Sequence, residues 1–541
     1  MLENCCRLAG EMTDRPDRTC CVRVTFAVVV AVCLCTTTTD GTGQTRTFDL
    51  LTASINDVQA AIDRDALTYE RLVRLYLNRV DSYDKKGPQL RAVIAINPRA
   101  IEDARARDVE RRTSGRRGPL HGIPIAIKDN IDVQDMPTTG GHLALGGKAA
   151  VDDATVVRRL REAGAIILLK TNMDELALNT RGLSSAGGQI LNPYDFTRIP
   201  GGSSGGTAVA VAAGLATVGL ATETGFSIRS PASNNALVAI APSRGLVSRA
   251  GVMPVSFTQD RVGVHAKNVA DAALLLDVIR GFDADDLSTS AFLNRSPLPS
   301  SVPSQSSSLR GARVGVLRDL FRTGEQFDEA HKIIERQIDV LRERSASVTR
   351  DVTTGTNLFA LMPDLRANNF EMPTAFDSYL RRRGESRPVS SFAAFVKNGK
   401  HLNDALANRL NQMLLVGPLE GNKDYLARLE RQREIRQLLI EVMDREKVDA
   451  LIYPVKSLPA PPIGSGDDGP RDNNISAVTG LPAIVLPAGM TADGLPIAIE
   501  MLGRPFSEAR LLEIAHAYEK VSRPRAVPKT TPALPGEVFV F

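Results

Sequence analysis

The sequence predicts an α/β fold in which a mixed, mostly parallel β-sheet is covered by helices on both faces. Three observations predict it. Short apolar strands alternate along the chain with helices of three- and four-residue periodicity, the pattern of strand–helix–strand units. Hydrophobic residues make up 43% and charged residues 24% of the 541, the balance of a soluble globular protein with a sizeable core. All six cysteines lie in the first 35 residues, so neither disulfides nor a cysteine nucleophile can organise the rest.

The elements follow in order. Val24–Cys35 is an apolar run with Arg18 and Arg23 before it and Thr36–Thr39 after it, the order of a secretory signal and too short for a membrane span. Residues 1–35 are therefore expected as a leader directing export to the periplasm or outside, with the cytoplasm as the alternative if the leader does not function, and 36–47 as a linker. Helical spacing runs through Thr52–Ile62 and Leu67–Leu77, with Thr68 as an N-cap. Ala92–Ile96 reads as a strand, Pro98–Arg112 as a polar helix, and Pro119–Asn130 as a strand ending in Lys128-Asp129-Asn130. Asp153–Gly164 reads as an amphipathic helix, its start explained by N-capping from Asp152-Asp153, and Ala165–Lys170 as a buried strand. Residues 298–310 form a Ser/Pro-rich surface loop. Beyond it lie a strand at Ala312–Arg318, helices at 326–345 and 420–447, strands at 449–453, 483–488 and 496–501, a helix at Ser507–Val521 and a tail at 531–541.

The chemistry is concentrated in Arg198–Ala232. Gly201, Gly202, Ser203, Ser204, Gly205 and Gly206 form a tight loop feeding an Ala/Val-rich helix, a strand follows, and Ser227 sits in a second turn 24 positions after Ser203. A flexible linker would not run into an apolar helix, and a phosphate loop would need a Gly-Lys-Ser/Thr ending that is absent here. A strand, a sharp turn and a serine can aim successive backbone N–H groups at one oxygen, as an oxyanion hole requires; an ordinary turn serine fits the same pattern. Lys128, after a run of Ile, Pro and Ala, is either a buried base of lowered pKa, a strand-end lysine reaching solvent, or a cation neutralised by Asp129.

Several classes are excluded. His121, His142 and His265 stand far apart, and no Gly-x-Ser-x-Gly elbow occurs, which argues against a Ser-His-Asp hydrolase and leaves His121 a structural residue. No Cys/His ligand spacing suggests a metal, and neither metal nor cofactor is expected. A net charge of +4 on 66 basic and 62 acidic residues, with no Trp, gives no sign of nucleic-acid binding.

Together GIPIAIKDN at 122–130, NPYDFTRIPGGSSGG at 192–206, TETGFSIRSPA at 222–232, SRGLVSRAGVMPVSFTQDRVG at 243–263 and GLPAIVLPAG at 480–489 closely resemble the amidase signature family. The resemblance runs from about residue 48 to 525. It implies one large domain, 48–530, with the mixed, mostly parallel sheet of that family. It also implies a Ser-Ser-Lys triad of Ser227 as nucleophile, Ser203 after a cis peptide bond, and Lys128 as base. Backbone N–H groups of Thr224, Gly225 and Phe226 would form the oxyanion hole, with Gly201, Gly202, Ser204 and Gly205 as the supporting loop. The substrate would be a small-molecule amide, met by a monomer or homodimer with no membrane span in the mature form. The alternatives are a non-catalytic binding member and a glutaminyl-tRNA amidotransferase A-type subunit. This chain departs from the family at Glu223 and at Phe226, where Asp and Gly are usual. The ring of Phe226 is expected to narrow the acyl pocket or tilt an oxyanion donor. Substrate selection is expected to fall to variable loops and helices within 356–420.

Overall fold

The computed structural model describes residues 45–293, 300, 302–304, 307–465, 473–522 and 524–541. The expected leader, most of the expected linker and part of the Ser/Pro-rich loop lie outside the described residues. Among the described residues no helix is long and apolar enough to cross a membrane.

An eleven-stranded sheet runs through the protein. Numbered along the chain, its strands are β1 (Val93–Ile96), β2 (Pro124–Lys128), β3 (Ile166–Thr171), β4 (Val218–Glu223), β5 (Val238–Ala241) and β6 (Arg261–Ala266). They continue with β7 (Arg313–Leu317), β8 (Ser347–Val352), β9 (Ala450–Pro454), β10 (Ala483–Met490) and β11 (Pro496–Gly503). Across the sheet the order is β8-β7-β9-β11-β10-β5-β6-β4-β2-β3-β1. Two parallel blocks, β8-β7-β9 and β4-β2-β3, flank antiparallel strands. Strands β2, β3, β4 and β6 are buried at every position. Helices on both sides leave neither face wet, so β2, β3 and β4 read as runs rather than alternations.

Strands β5 and β6 carry no clear sequence signal. The first is four residues long, and β6 (RVGVHA) holds an arginine and a histidine. Both polar groups are buried with partners: Arg261 pairs with Glu223 at 2.6 Å, and His265 Nε2 lies 2.8 Å from the Ile228 carbonyl. Three expectations are corrected. The strand expected from Pro119 starts only at Pro124, because His121 N–H and Ile123 N–H close turns onto Gly118 and Leu120. Asp153 does not cap its helix; its carboxylate accepts from Gln134 N–H at 2.8 Å and from Arg161 at 2.8 Å, and Ala154 holds the N-cap position. The tail expected at 531–541 is structured. Val538–Val540 pairs antiparallel with Thr47–Asp49, and Glu537 is buried against Arg79.

The helix Gly205–Ala212 packs on β2, β3 and β4. It sits close because Gly206 has no side chain: a Cβ there would run into the backbone of Asn172 and Ala92. This contact fixes the preceding loop, with its two serines, at the ends of β2 and β4.

Candidate active site

Lys128 ends β2 fully buried. The two-residue period of a strand sends its neighbour Asp129 the other way. Asp129 pairs there with Lys170 at 2.9 Å and accepts from Thr139 N–H at 3.1 Å. Asp129 is thus engaged elsewhere. Lys128 Nζ lies 2.8 Å from Ser203 Oγ, 2.8 Å from Thr222 Oγ1 and 3.1 Å from the Thr222 carbonyl. Burial pulls its pKa down to about 7, against the opposing pull of Asp174, Asp260 and Glu223. In the neutral amine two N–H groups satisfy the Thr222 oxygens, and the lone pair faces the Ser203 hydroxyl. Asn130 Nδ2 holds Thr222 Oγ1 from the other side at 3.0 Å.

The Gly202–Ser203 peptide bond is cis. The Ser203 carbonyl accepts from Asp174 N–H at 3.1 Å, and one Asp174 oxygen accepts from Arg181 N–H at 2.8 Å and Gly182 N–H at 2.9 Å. Ser204 Oγ donates to the Thr222 carbonyl at 3.0 Å, and Ser204 N–H reaches the Ser227 carbonyl at 3.3 Å. Gly201 takes φ 75°, and Gly205 opens the helix. The loop therefore ties Lys128, Ser203 and the Ser227 turn together.

Ser227 is buried to 5% exposure. The carbonyls of its turn point away and are held: Thr224 C=O by Gln259 Nε2 at 2.9 Å, Gly225 C=O by Arg229 at 2.7 Å, Phe226 C=O by Ser230 N–H at 2.9 Å. The N–H groups of Gly225 and Phe226 donate to no acceptor among the described residues. Beneath the turn lies a buried ionic network. Glu223 accepts from Ile228 N–H at 3.0 Å, Arg229 at 3.1 Å and Arg261 at 2.6 Å; Arg229 also bonds Glu500 at 2.9 Å, and Tyr453 donates to Glu500 at 2.9 Å. The two arginines hold the Glu223 carboxyl below its ordinary range despite full burial. Phe226 lines the edge of the narrow cleft at Ser227 yet is only 3% exposed; it belongs to the buried apolar cluster that includes Ala208, Val211, Ile228 and Leu237, and its ring lies 4.9 Å from the Arg229 guanidinium.

The structure brings Lys128 against Ser203 and ties the Ser227 turn to their loop; sequence reasoning did not mark Thr222, Asp174, Gln259 or the Glu223–Arg229–Arg261–Glu500 network beside them. One signal was available: Glu500 is a lone carboxylate inside the apolar strand PIAIEMLG, where only a buried partner could hold it.

Among the described residues no histidine hydrogen-bonds to Ser203 or Ser227, although His265 Nε2 lies 2.8 Å from the carbonyl of the neighbouring Ile228. His121 Nε2 lies 3.1 Å from the Arg107 carbonyl, and His265 is buried with its pKa lowered to about 4. His142, Glu175 and His401 bring ligand atoms within 4.8 Å of one another, a grouping that sequence spacing does not show. Their hydrogen bonds already use the lone pairs a metal would need. His142 Nδ1 accepts from Ala144 N–H at 3.1 Å, which puts the proton on Nε2, facing His401 Nδ1 at 3.2 Å. Glu175 Oε1 accepts from Leu402 N–H at 3.0 Å. The donor set fits a hydrogen-bonded clasp.

Ser227, Thr224, Gly225 and Phe226 open on a narrow cleft of ≈ 70 Å³, walled by Leu178, Asn179, Asn474, Arg366, Asn368 and Arg409. The last three come from the 356–420 region. A larger cavity of ≈ 400 Å³ lies beside it, with Asn130, Thr222, Thr224 and Asp260 among its lining and Thr224 and Val255 shared with the cleft.

A family model described as Amidase matches residues 71–512. The chain belongs to the amidase signature family. It is an amidase, a hydrolase of carbon–nitrogen bonds. The solved native peptide amidase of Stenotrophomonas maltophilia is similar to it with a TM-score of 0.82 and 35% identity, over 89% of this chain and 99% of that one. An amidase family protein from Bacillus anthracis gives a TM-score of 0.79 and 29% identity, over 89% and 93%. The A-type subunit of glutamyl-tRNA(Gln) amidotransferase from Roseiflexus sp. (strain RS-1) is 34% identical over 486 residues, 87% of this amidase and 96% of that protein.

Proposed function

We propose that this amidase cleaves linear amides through Ser227, Ser203 and Lys128. Neutral Lys128 takes the Ser203 proton, Ser203 takes that of Ser227, and Ser227 Oγ bonds to the amide carbon. The oxygen of the tetrahedral intermediate is met by backbone N–H groups of the 224–227 turn, whose carbonyls are held facing away. The proton returns along the relay to the leaving amine as the carbon–nitrogen bond breaks, and water then hydrolyses the Ser227 ester. Activated esters and carbamates would react by the same route. The observation that carries this reading is the buried Lys128 amine 2.8 Å from Ser203 Oγ, with Asp129 already paired to Lys170.

Similarity to a peptide amidase puts peptide amides at the head of a substrate panel, with aryl and fatty acyl amides after them. Wild type is expected to cleave part of that panel and to gain an acyl mass on Ser227 with an activated anilide. Ser227→Ala should lose at least about 10³-fold in kcat. Equal turnover by the variant would remove Ser227 from the mechanism. The amidotransferase relatives support a second reading, an A-type subunit. Turnover that appears only on adding the other amidotransferase subunits would select it; turnover by the isolated chain selects the free-standing amidase.

A further inference from the structure

Gln259 stands between the Ser227 turn and the wall of the cleft, and its amide is bonded at both ends. Strands β4 and β6 run antiparallel with Glu223 opposite Arg261, so Thr224 on one side and Gln259-Asp260 on the other leave the sheet facing each other. Asp260 accepts from the Thr224 hydroxyl, and Gln259 Nε2 donates to the Thr224 carbonyl at 2.9 Å. Gln259 Oε1 accepts from Ala367 N–H at 2.7 Å. A backbone N–H can only donate, so Oε1 must face Ala367 and Nε2 must face Thr224; the flipped amide would set oxygen against oxygen. The side chain is 2% exposed and lines the cleft at Ser227.

The Thr224 carbonyl and the Gly225 N–H belong to one trans peptide plane, in which they point opposite ways. Fixing the carbonyl therefore aims the N–H, and that N–H has no acceptor of its own among the described residues. The next plane is built alike: Arg229 holds the Gly225 carbonyl at 2.7 Å, which turns the Phe226 N–H the other way. The two holders differ in what fixes them. Arg229 is locked between Glu223 and Glu500 in the core. Gln259 hangs on Ala367, the N-cap residue of the helix Asn368–Arg383, and the residues on either side of Ala367, Arg366 and Asn368, wall the cleft.

We propose that Gln259 is a positioning residue for acyl transfer: it aims the Gly225 N–H at the substrate's carbonyl oxygen and ties that aim to the cleft wall at Arg366 and Asn368. The inference rests on Ser227 as the nucleophile. A substrate whose acyl group fills the cleft contacts the wall and steadies the Ala367–Gln259–Thr224 connection; an acetyl group does not reach it. Contacts remote from the reacting carbon then act in the transition state, and they appear in kcat rather than in KM.

Two variants test it. Gln259→Met is close in volume and makes neither bond; Gln259→Glu keeps an acceptor for Ala367 and loses the donor to Thr224. Asp260 still holds the Thr224 hydroxyl in both, and the melting temperature reports whether each is folded. Their substrates are the amide of the panel that wild type turns over fastest and the acetyl amide of the same amine. Phenylboronic acid, which adds to a serine as a tetrahedral anion, reports the oxyanion site. In Gln259→Met, kcat on the longer amide should fall about 10- to 100-fold, short of the loss on deleting an oxyanion donor outright. KM should stay within about twofold, and the boronate should bind more weakly by about the same factor as kcat/KM. The kcat advantage of the longer amide over the acetyl amide should shrink at least about threefold. Gln259→Glu should show the same loss of kcat, because the lost donor is the one to Thr224. A glutamine that merely braces the fold would lower the melting temperature and leave kcat and boronate affinity alone. That result, or kcat within about twofold of wild type in either folded variant, would overturn the proposal. No acyl mass on wild-type Ser227 would overturn the parent reading and this one with it; acyl mass together with unchanged variants removes Gln259 alone.

Discussion

At Lys128 burial reverses the ordinary preference of a lysine for its charged form. Its pKa falls to about 7 because the amine is shut away from water and its near neighbours are a serine and a threonine. As the proposed base, Lys128 would work neutral, so kcat/KM should fall about tenfold per pH unit below 7 and level off above it. Lys128→Ala should lose most activity and lose that limb; a retained limb would assign the titration to another group. The same shift acts on stability. With the folded pKa below the ordinary 10.5, the folded state binds fewer protons than the unfolded chain between about 7 and 10.5, so stability rises with pH across that window. Phe226 shows where residue-scale reading stops. A phenylalanine in place of a glycine beside a serine suggested a ring in the acyl pocket; Phe226 does line the cleft, but at 3% exposure it also belongs to the buried cluster of Ala208, Val211 and Leu237, a burial no local motif specifies.

Between β4 and the short helix Arg229–Asn234, the Ser227 turn is held by charged side chains as well as by its own backbone. Arg229 is fully buried between Glu223 and Glu500, at 3.1 and 2.9 Å. Arg229→Met keeps the volume and removes the cation, leaving Glu500 without its guanidinium partner and Glu223 with Arg261 alone. Such a change costs about 3–5 kcal/mol, read as a lower urea midpoint with an unchanged slope; a midpoint equal to wild type would show that the network does not brace the turn. Elements of this kind divide sharply in legibility. β2, β3 and β4 were readable because two covered faces make them continuous apolar runs. β6 was not, since Arg261 and His265 break the run and only their distant partners, Glu223 and Ile228, explain them. The site divides the same way. Lys128, Ser203 and Ser227 stand in local motifs, but Thr222, Asp174, Gln259 and Glu500 act through contacts up to hundreds of residues apart in the chain, which one sequence does not reveal.

Over residues 46–541 the two ends of the domain are fastened to each other and to the middle. Thr47–Asp49 and Val538–Val540 pair as strands, and Phe48 stacks on Phe539 at 4.8 Å. Behind them Arg79, fully buried, gathers Glu537 at 2.7 Å, the Thr531 carbonyl at 2.8 Å and the Ala213 carbonyl at 2.7 Å. Ala213 is the C-cap of the helix that begins at Gly205, so one guanidinium joins the C-terminal segment to the helix that carries the serine loop. Glu537→Ala leaves that cation buried with carbonyl oxygens alone. Neutral acceptors orient a guanidinium but do not repay the loss of its hydration, so the variant should lose about 3 kcal/mol of stability. Truncation after residue 530 should lose more, because it also strips the strand from Thr47–Asp49. Urea denaturation followed by far-ultraviolet circular dichroism distinguishes the two cases. A Glu537→Ala protein as stable as wild type would show that the C-terminal segment merely lies against the domain; the expected loss would show that it closes the core around Arg79.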